Sequence, residues 1–296
     1  MIYLLSGDNT FEIEQRLRKI IAECCGEIER VDGSELAIDQ LPDLLAGVTL
    51  FSSERCIVVK HASQNKPVWA ALGEWLEKGI GNDVIFVERS PDKRTKTYKW
   101  LQKHAEVHDV KQLQPFEALR WLQDVSKGIL GRNEAEFLVD YVGTDQWRLS
   151  AELDKLRLTG KPIDREVIRR IVEPTPQATS FELLDAAFHK NHDAFDELFD
   201  AVSQREDPYM FFGLLAGQVQ AMAIVVASEN ENRRPEDAAK DAGIHPFVVR
   251  KVTLLARPLS VRQLRQLIER LSELDAHMKL RPTPPWTQIR SFLMAL

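Results

Sequence analysis

The chain has 296 residues, of which 44% are apolar and 28% charged, with a formal net charge of −6. That length exceeds one small core and fits two or three domains. The balance excludes an overall basic nucleic-acid-binding character and leaves only local patches for phosphate contact. No run of 18 apolar residues occurs, so no membrane span is expected, and the N-terminus lacks the basic-then-apolar pattern of a secretory signal. Cys24 and Cys25 are adjacent and Cys56 stands apart, which gives neither a disulfide framework nor metal-ligand spacing. A reducing cytoplasm is the natural compartment.

Taken in order, Ile2–Ser6 reads as a first strand ending at Gly7. Asn9 with Glu12 three positions on can close a capping box, and Ile13, Leu17, Ile20, Ile21 and Cys24 mark one face of the helix that follows. Glu27–Val31 reads as a second strand and Ile38–Leu45 as a short helix. Cys56–Val59 is a β-branched, buried strand. Pro67–Lys78 is helical, Val84–Val87 another strand, Thr95–His104 a helix and Ala105–Val110 a last strand. This alternation predicts a mostly parallel sheet with helices on both faces, over residues 1–111.

Strand signals then stop. Helices are expected over Phe116–Lys127, Glu134–Tyr141, Trp147–Leu158 and Asp164–Ile171, forming a small helical domain over 112–173. Pro174 and Pro176 deny helical continuation. In the third domain, 178–296, Thr179 and Glu182 form a second candidate capping box. Asp207–Val226 is apolar on nearly every side, and Glu229–Glu236 reads as a polar loop. Ser260 and Gln263 open a long amphipathic helix, and a terminal helix runs over Trp286–Leu296 after Pro282, Pro284 and Pro285.

The α/β opening invites a nucleotide hypothesis, but the turn after the first strand is Ser6-Gly-Asp-Asn-Thr10. A phosphate cradle needs GxxxxGK[ST], so that backbone amides and a lysine face the phosphates. Here there is one glycine and no lysine, and Asp8 adds negative charge where a phosphate would sit. Val84–Arg89 ends in a single Glu88, which reads as a solvated strand-end residue or an ion-pair partner. His104 and His108 are separated by a helix end. His189 and His192, three apart on a helix edge, lack further ligands apart from Asp193 or Asp196. No catalytic site and no cofactor or metal is expected.

Two basic regions stand out. Arg89, Lys93, Arg94, Lys96, Lys99 and Lys103 oppose only Asp92 and lie beyond a strand end, where an α/β domain offers its binding edge; they fit phosphate contact or a solvated helix face. Residues 242–296 carry nine Lys/Arg against three Asp/Glu. There Arg250, Lys251, Arg257, Arg262 and Arg265 make a basic surface or face acidic neighbours. One further stretch is singular. Val48, Leu50 and Phe51 precede Ser52 and Ser53 just ahead of the Cys56–Val59 strand. Their side chains either tuck into the core or form a hydrophobic plug for a partner.

Five segments in order resemble one family. They are Tyr3-Leu-Leu-Ser-Gly-Asp8, Leu50-Phe-Ser-Ser-Glu-Arg-Cys-Ile-Val-Val-Lys60, Gly143–Leu156 with its spaced Asp145, Leu149, Glu152, Lys155 and Leu156, His245-Pro-Phe-Val-Val-Arg-Lys251, and Asp275-Ala-His-Met-Lys279. Together they resemble the delta subunit family of the bacterial DNA polymerase III clamp loader over essentially the full length. The resemblance implies an AAA+-like α/β domain without ATPase motifs, a helical lid and an oligomerising helical collar. It implies clamp contact through Val48, Leu50 and Phe51, where a methionine is common at the first position, and so favours the plug. It also implies partners: the beta sliding clamp, motor subunits (tau/gamma) that bind ATP, delta-prime through the collar, and primed DNA, with no membrane. Lys93, Arg94, Lys96, Lys99, Lys103, Arg250 and Lys251 are the candidate DNA-phosphate contacts. Some relatives place an aromatic against the primer–template junction, where this sequence has Arg281 with Trp286 nearby. A nucleotide-free adaptor and an unusual ATPase are the other readings.

Overall fold

A computed structural model describes residues 1–24, 26–46, 55–78, 81–160, 162–231, 233–244 and 246–296. Val48, Leu50 and Phe51 lie outside the described residues. The described chain divides into two compact units, one of residues 1–114 with 145–147 and one of 115–144 with 148–296.

In the first unit the apolar runs become five described strands: β1 (Ile2–Gly7), β2 (Glu27–Asp32), β3 (Arg55–Lys60), β4 (Asp83–Glu88) and β5 (Glu106–Val110). All pairings are parallel and the order is β2-β3-β4-β1-β5. Each connection therefore crosses a face and needs a helix to cover it. Strand alternation sorts the side chains. Leu5, Cys56, Val58 and Ile85 point to the face covered by α1 (Thr10–Glu23) through Ile13, Leu17 and Ile20. Leu4, Ile57, Val59, Val84 and Phe86 meet α2 (Leu41–Ala46), α3 (Lys66–Glu77) and α4 (Lys96–His104) on the other. The β3 and β4 runs read as continuous apolar segments because both faces are buried. Each fully buried aliphatic side chain contributes about 1.5–3 kcal/mol. This is the AAA+-like α/β arrangement that the resemblance implies.

The second unit is helical: α5 (Pro115–Ser126), α6 (Arg132–Val142), α7 (Gln146–Arg157, its first two residues in the first unit), α8 (Arg165–Ile171), α9 (Pro176–Phe188), α10 (His192–Arg205), α11 (Pro208–Asn230), α12 (Pro235–Asp241), α13 (Pro246–Ala256), α14 (Val261–Leu280) and α15 (Pro285–Met294). By length and composition α11 could cross a membrane. It instead forms the middle of a core, with Phe211, Leu215, Val219, Met222 and Val225 buried among side chains of α9, α13, α14 and α15.

Several local expectations change. The capping box at Thr179 does not form, because Pro176 occupies the first turn, where its missing N–H costs nothing; Thr175 is the cap and accepts from Ala178 N at 3.2 Å. His189 and His192 do not share a helix. α9 ends at Phe188, Lys190 has φ 54°, and α10 starts at His192 behind the Asn191 cap. The polar loop expected at Glu229–Glu236 is shortened from both ends by α11 and α12. Ser260 and Gln263 do form their box, at 3.3 and 3.0 Å.

Candidate functional site

The carboxyl ends of β1, β4 and β5 meet where an AAA+-like sheet would present a nucleotide. Gly7 ends β1 with φ +127°, and a Cβ there would lie 1.9 Å from the Val110 carbonyl oxygen, so only glycine fits beside β5. The following residues are tied to protein. Asp8 Oδ1 accepts from the Gln112 amide at 2.8 Å, and the Asp8 carbonyl accepts from Gln112 Nε2 at 2.9 Å. Asn9, 1% exposed, caps α1 by accepting from Glu12 N at 3.1 Å. Its amide donates to the Lys111 carbonyl at 3.1 Å and to Gln146 Oε1 at 2.7 Å. Trp147 Nε1 donates to Thr10 Oγ1 at 3.0 Å, and its ring packs edge-on against Phe11 at 4.9 Å. The Asn9 cap is as expected, but the reciprocal half of the box is absent: the Glu12 carboxylate binds Arg16 instead.

Glu88 is neither solvated nor ion-paired among the described residues; it is 2% exposed, which corrects the sequence reading. Its Oε2 accepts from Ser63 Oγ at 2.5 Å and Ser63 N at 3.2 Å. Burial raises its pKa above the ordinary carboxylate value, and the Ser63 hydrogen bonds pull the other way. Ser6, its register partner on β1, is also buried on the same side of the sheet.

The Arg89–Lys103 cluster is exposed but uneven. Lys93 Nζ pairs with Asp109 at 2.8 Å, and Arg94 takes Asp92 bidentately at 3.0 and 2.9 Å. Lys96, Lys99 and Lys103 follow one another along the solvent side of α4, opposite its buried Thr97, Tyr98 and Leu101; no ion pair involves them among the described residues. In the second unit Lys251 Nζ lies 2.5 Å from Asp140, while Arg250 is exposed. Arg257 pairs with Glu229 at 3.1 Å, and Arg262 and Arg265 point outward. Lys279 pairs with Asp275 at 2.7 Å, one helical turn away. Trp286 packs at 5.7 Å from Phe199 and 5.3 Å from Phe211, so its ring belongs to the core. Arg281 is exposed at the rim of a shallow cleft of about 330 Å³.

Sequence reasoning missed Gln112, Gln146 and Trp147, the residues that hold down the β1–α1 turn. Nothing in their local periodicity marks them. Their role emerges only when residues more than 100 positions apart meet.

Strand order and helical domains define an AAA+-like protein whose phosphate-side turn is bonded to its own chain. Three comparisons place it more narrowly. Residues 177–296 match the DNA polymerase III delta subunit, C-terminal domain, family. A Bacillus subtilis (strain 168) protein described as DNA polymerase III subunit delta is 23% identical over 326 aligned residues, covering 100% of this chain and 92% of that protein. The solved structure of a Bacillus subtilis DNA clamp loader delta protein shares the fold with a TM-score of 0.61 at 21% identity, over 99% of this chain and 94% of that one. The chain is thus similar along its whole length to a DNA polymerase III delta subunit, and its residues 177–296 match that family's C-terminal domain.

Proposed function

We propose that this chain is the delta subunit of a DNA polymerase III clamp loader, working in the cytoplasm at the replication fork. It binds the ring-shaped sliding clamp and opens it, or holds it open, for placement on primed DNA. The observation that carries this reading is the full-length similarity, joined to the delta-type C-terminal domain over 177–296. Val48, Leu50 and Phe51 are the clamp contact, a small apolar anchor of the kind that dominates interface energetics. Preference for the open ring, not tightness alone, is what makes such binding open it.

The chain itself is non-catalytic in this reading, and motor subunits (tau/gamma) bind and hydrolyse ATP. The β1–α1 turn supports that division, because Asp8, Asn9 and Thr10 have protein partners where a phosphate would need theirs. Residues 112–173 act as the lid and 178–296 as the collar that meets motor subunits and delta-prime. Lys96, Lys99 and Lys103 track primer-template phosphates, and Arg250 is a further candidate contact in the second unit. Lys93, Arg94 and Lys251, already paired with carboxylates, contribute less.

The test is calorimetry of the isolated chain with the sliding clamp of the same organism, wild type beside the Leu50→Ala/Phe51→Ala double variant. Binding in the nanomolar to micromolar range, lost in a double variant with an unchanged circular dichroism spectrum, is the expected result. Absence of binding by the wild type refutes the loader reading. Equal binding by both refutes the assignment of these residues.

A further inference from the structure

The α1 face of the sheet holds a thiol pair that clamp binding does not use. Cys24 sits at the C-terminal cap of α1, with its N–H bonded to the Ile21 carbonyl at 3.2 Å. Cys56 is the second residue of β3, 1% exposed, in the cluster with Leu5, Leu17, Ile20 and Val58. Their sulfurs are 2.9 Å apart, and a disulfide bond is about 2.05 Å long. Closure therefore asks for a movement below roughly an ångström between two packed elements. Cys24 is half-buried, so it reaches solvent where Cys56 does not.

We propose that Cys24 and Cys56 are a peroxide-responsive pair that closes to a disulfide, stapling the end of α1 to the start of β3. The Cys24 sulfur attacks hydrogen peroxide: an S–O bond forms, the O–O bond breaks, and the departing hydroxide leaves as water with the Cys24 proton. Cys56 sulfur then attacks the sulfenic sulfur of Cys24. The S–S bond forms, the S–O bond breaks, and the second hydroxide leaves as water with the Cys56 proton. Two thiols lose two electrons, and one peroxide becomes two waters. Burial first, and the Cys24 hydrogen bond second, push the Cys56 thiol up to about 12, which leaves the first attack to Cys24; the resolving role of Cys56 rests on its sulfur lying 2.9 Å from that of Cys24.

The test uses the full chain and its Cys25→Ser variant, treated with hydrogen peroxide, alkylated in denaturant and digested with trypsin without reductant. The expected product links peptide 20–30 to peptide 56–60, with a mass about 2 Da below the sum of the two, from the loss of two hydrogens. It should form in both chains, disappear with dithiothreitol, and be absent from Cys24→Ser. A treated Cys25→Ser chain that carries sulfinic acid at Cys24 and an alkylated Cys56 overturns the proposal. So does a wild-type product linked only within peptide 20–30. Both readouts are independent of clamp binding.

Discussion

Asn9 is the residue on which the β1–α1 turn depends, and its substitutions separate two contributions. Asn9→Ala removes the α1 cap, worth about 1 kcal/mol. It also strands the Gln146 oxygen and the Lys111 carbonyl, which now accept at 2.7 and 3.1 Å. A stranded buried acceptor costs about 1–3 kcal/mol; with Gln146 only 3% exposed, the total loss is about 3 kcal/mol. Asn9→Asp keeps the cap and gains about 0.3–1 kcal/mol from a negative charge at the helix start. The Gln146 amide can turn to donate to the new carboxylate, but the Lys111 carbonyl cannot, so a net loss of about 1–2 kcal/mol remains. Urea unfolding, read beside hydrogen exchange of the Ile13–Ile20 amides, should rank wild type above Asn9→Asp above Asn9→Ala. An Asn9→Asp chain as stable as wild type, or more stable, would show that only the cap matters and would refute the account of the turn.

Glu88 gives a pH dependence with a definite sign. Its pKa is higher in the folded chain than in the unfolded one, so its contribution is fully present below the unfolded value and is lost as pH rises through the folded value. Glu88→Gln escapes that loss, so its stability relative to wild type should improve as pH rises from below the ordinary carboxylate range to neutrality in urea titrations; a pH-independent difference contradicts this. For Lys251 and Asp140, whose side chains are 35% and 16% exposed, a double-mutant cycle on stability should return a coupling of about 1 kcal/mol. A coupling of zero refutes a stabilising pair between them. Replacing Lys96, Lys99 and Lys103 by alanine should lower the slope of log affinity for primed DNA against log salt, measured in the assembled loader. The expected drop is about 1 for each phosphate that is no longer neutralised. An unchanged slope makes α4 a solvated face.

The strands of the α/β unit were legible because burial on both faces writes continuous apolar runs, as in Cys56–Val59 and Val84–Val87. α11 was legible for the same reason. α10 and α12 were not. α10 follows α9 after a turn through Lys190 at positive φ, and that turn reads as a helix edge in sequence. α12 is seven residues long and buries only Ala239, too little for a period. The absence of a phosphate motif was readable from Ser6–Thr10, but the reason the turn is stable was not. Gln112 and Gln146 are bonded to Asp8 and Asn9 across 104 and 137 positions, and no local pattern encodes that. Glu88 was misread because a carboxylate at a strand end is ordinarily wet, and here Ser63 closes over it.

Because α11 is apolar on nearly every side, hydrophobic burial alone leaves its rotation about its own axis almost degenerate. Gln218 lifts that degeneracy. It is fully buried, and its Nε2 donates to Ser180 Oγ on α9 at 2.6 Å, while Ser180 donates in turn to the Gln177 carbonyl at 2.8 Å. Turning α11 by one residue, about 100°, would carry this amide into hydrocarbon with no acceptor, at a cost of about 1–3 kcal/mol. A greasy cylinder keyed by a buried amide has a preferred angular setting, and the side chains that α11 presents to solvent, Tyr209 and Met210 included, inherit their direction from it.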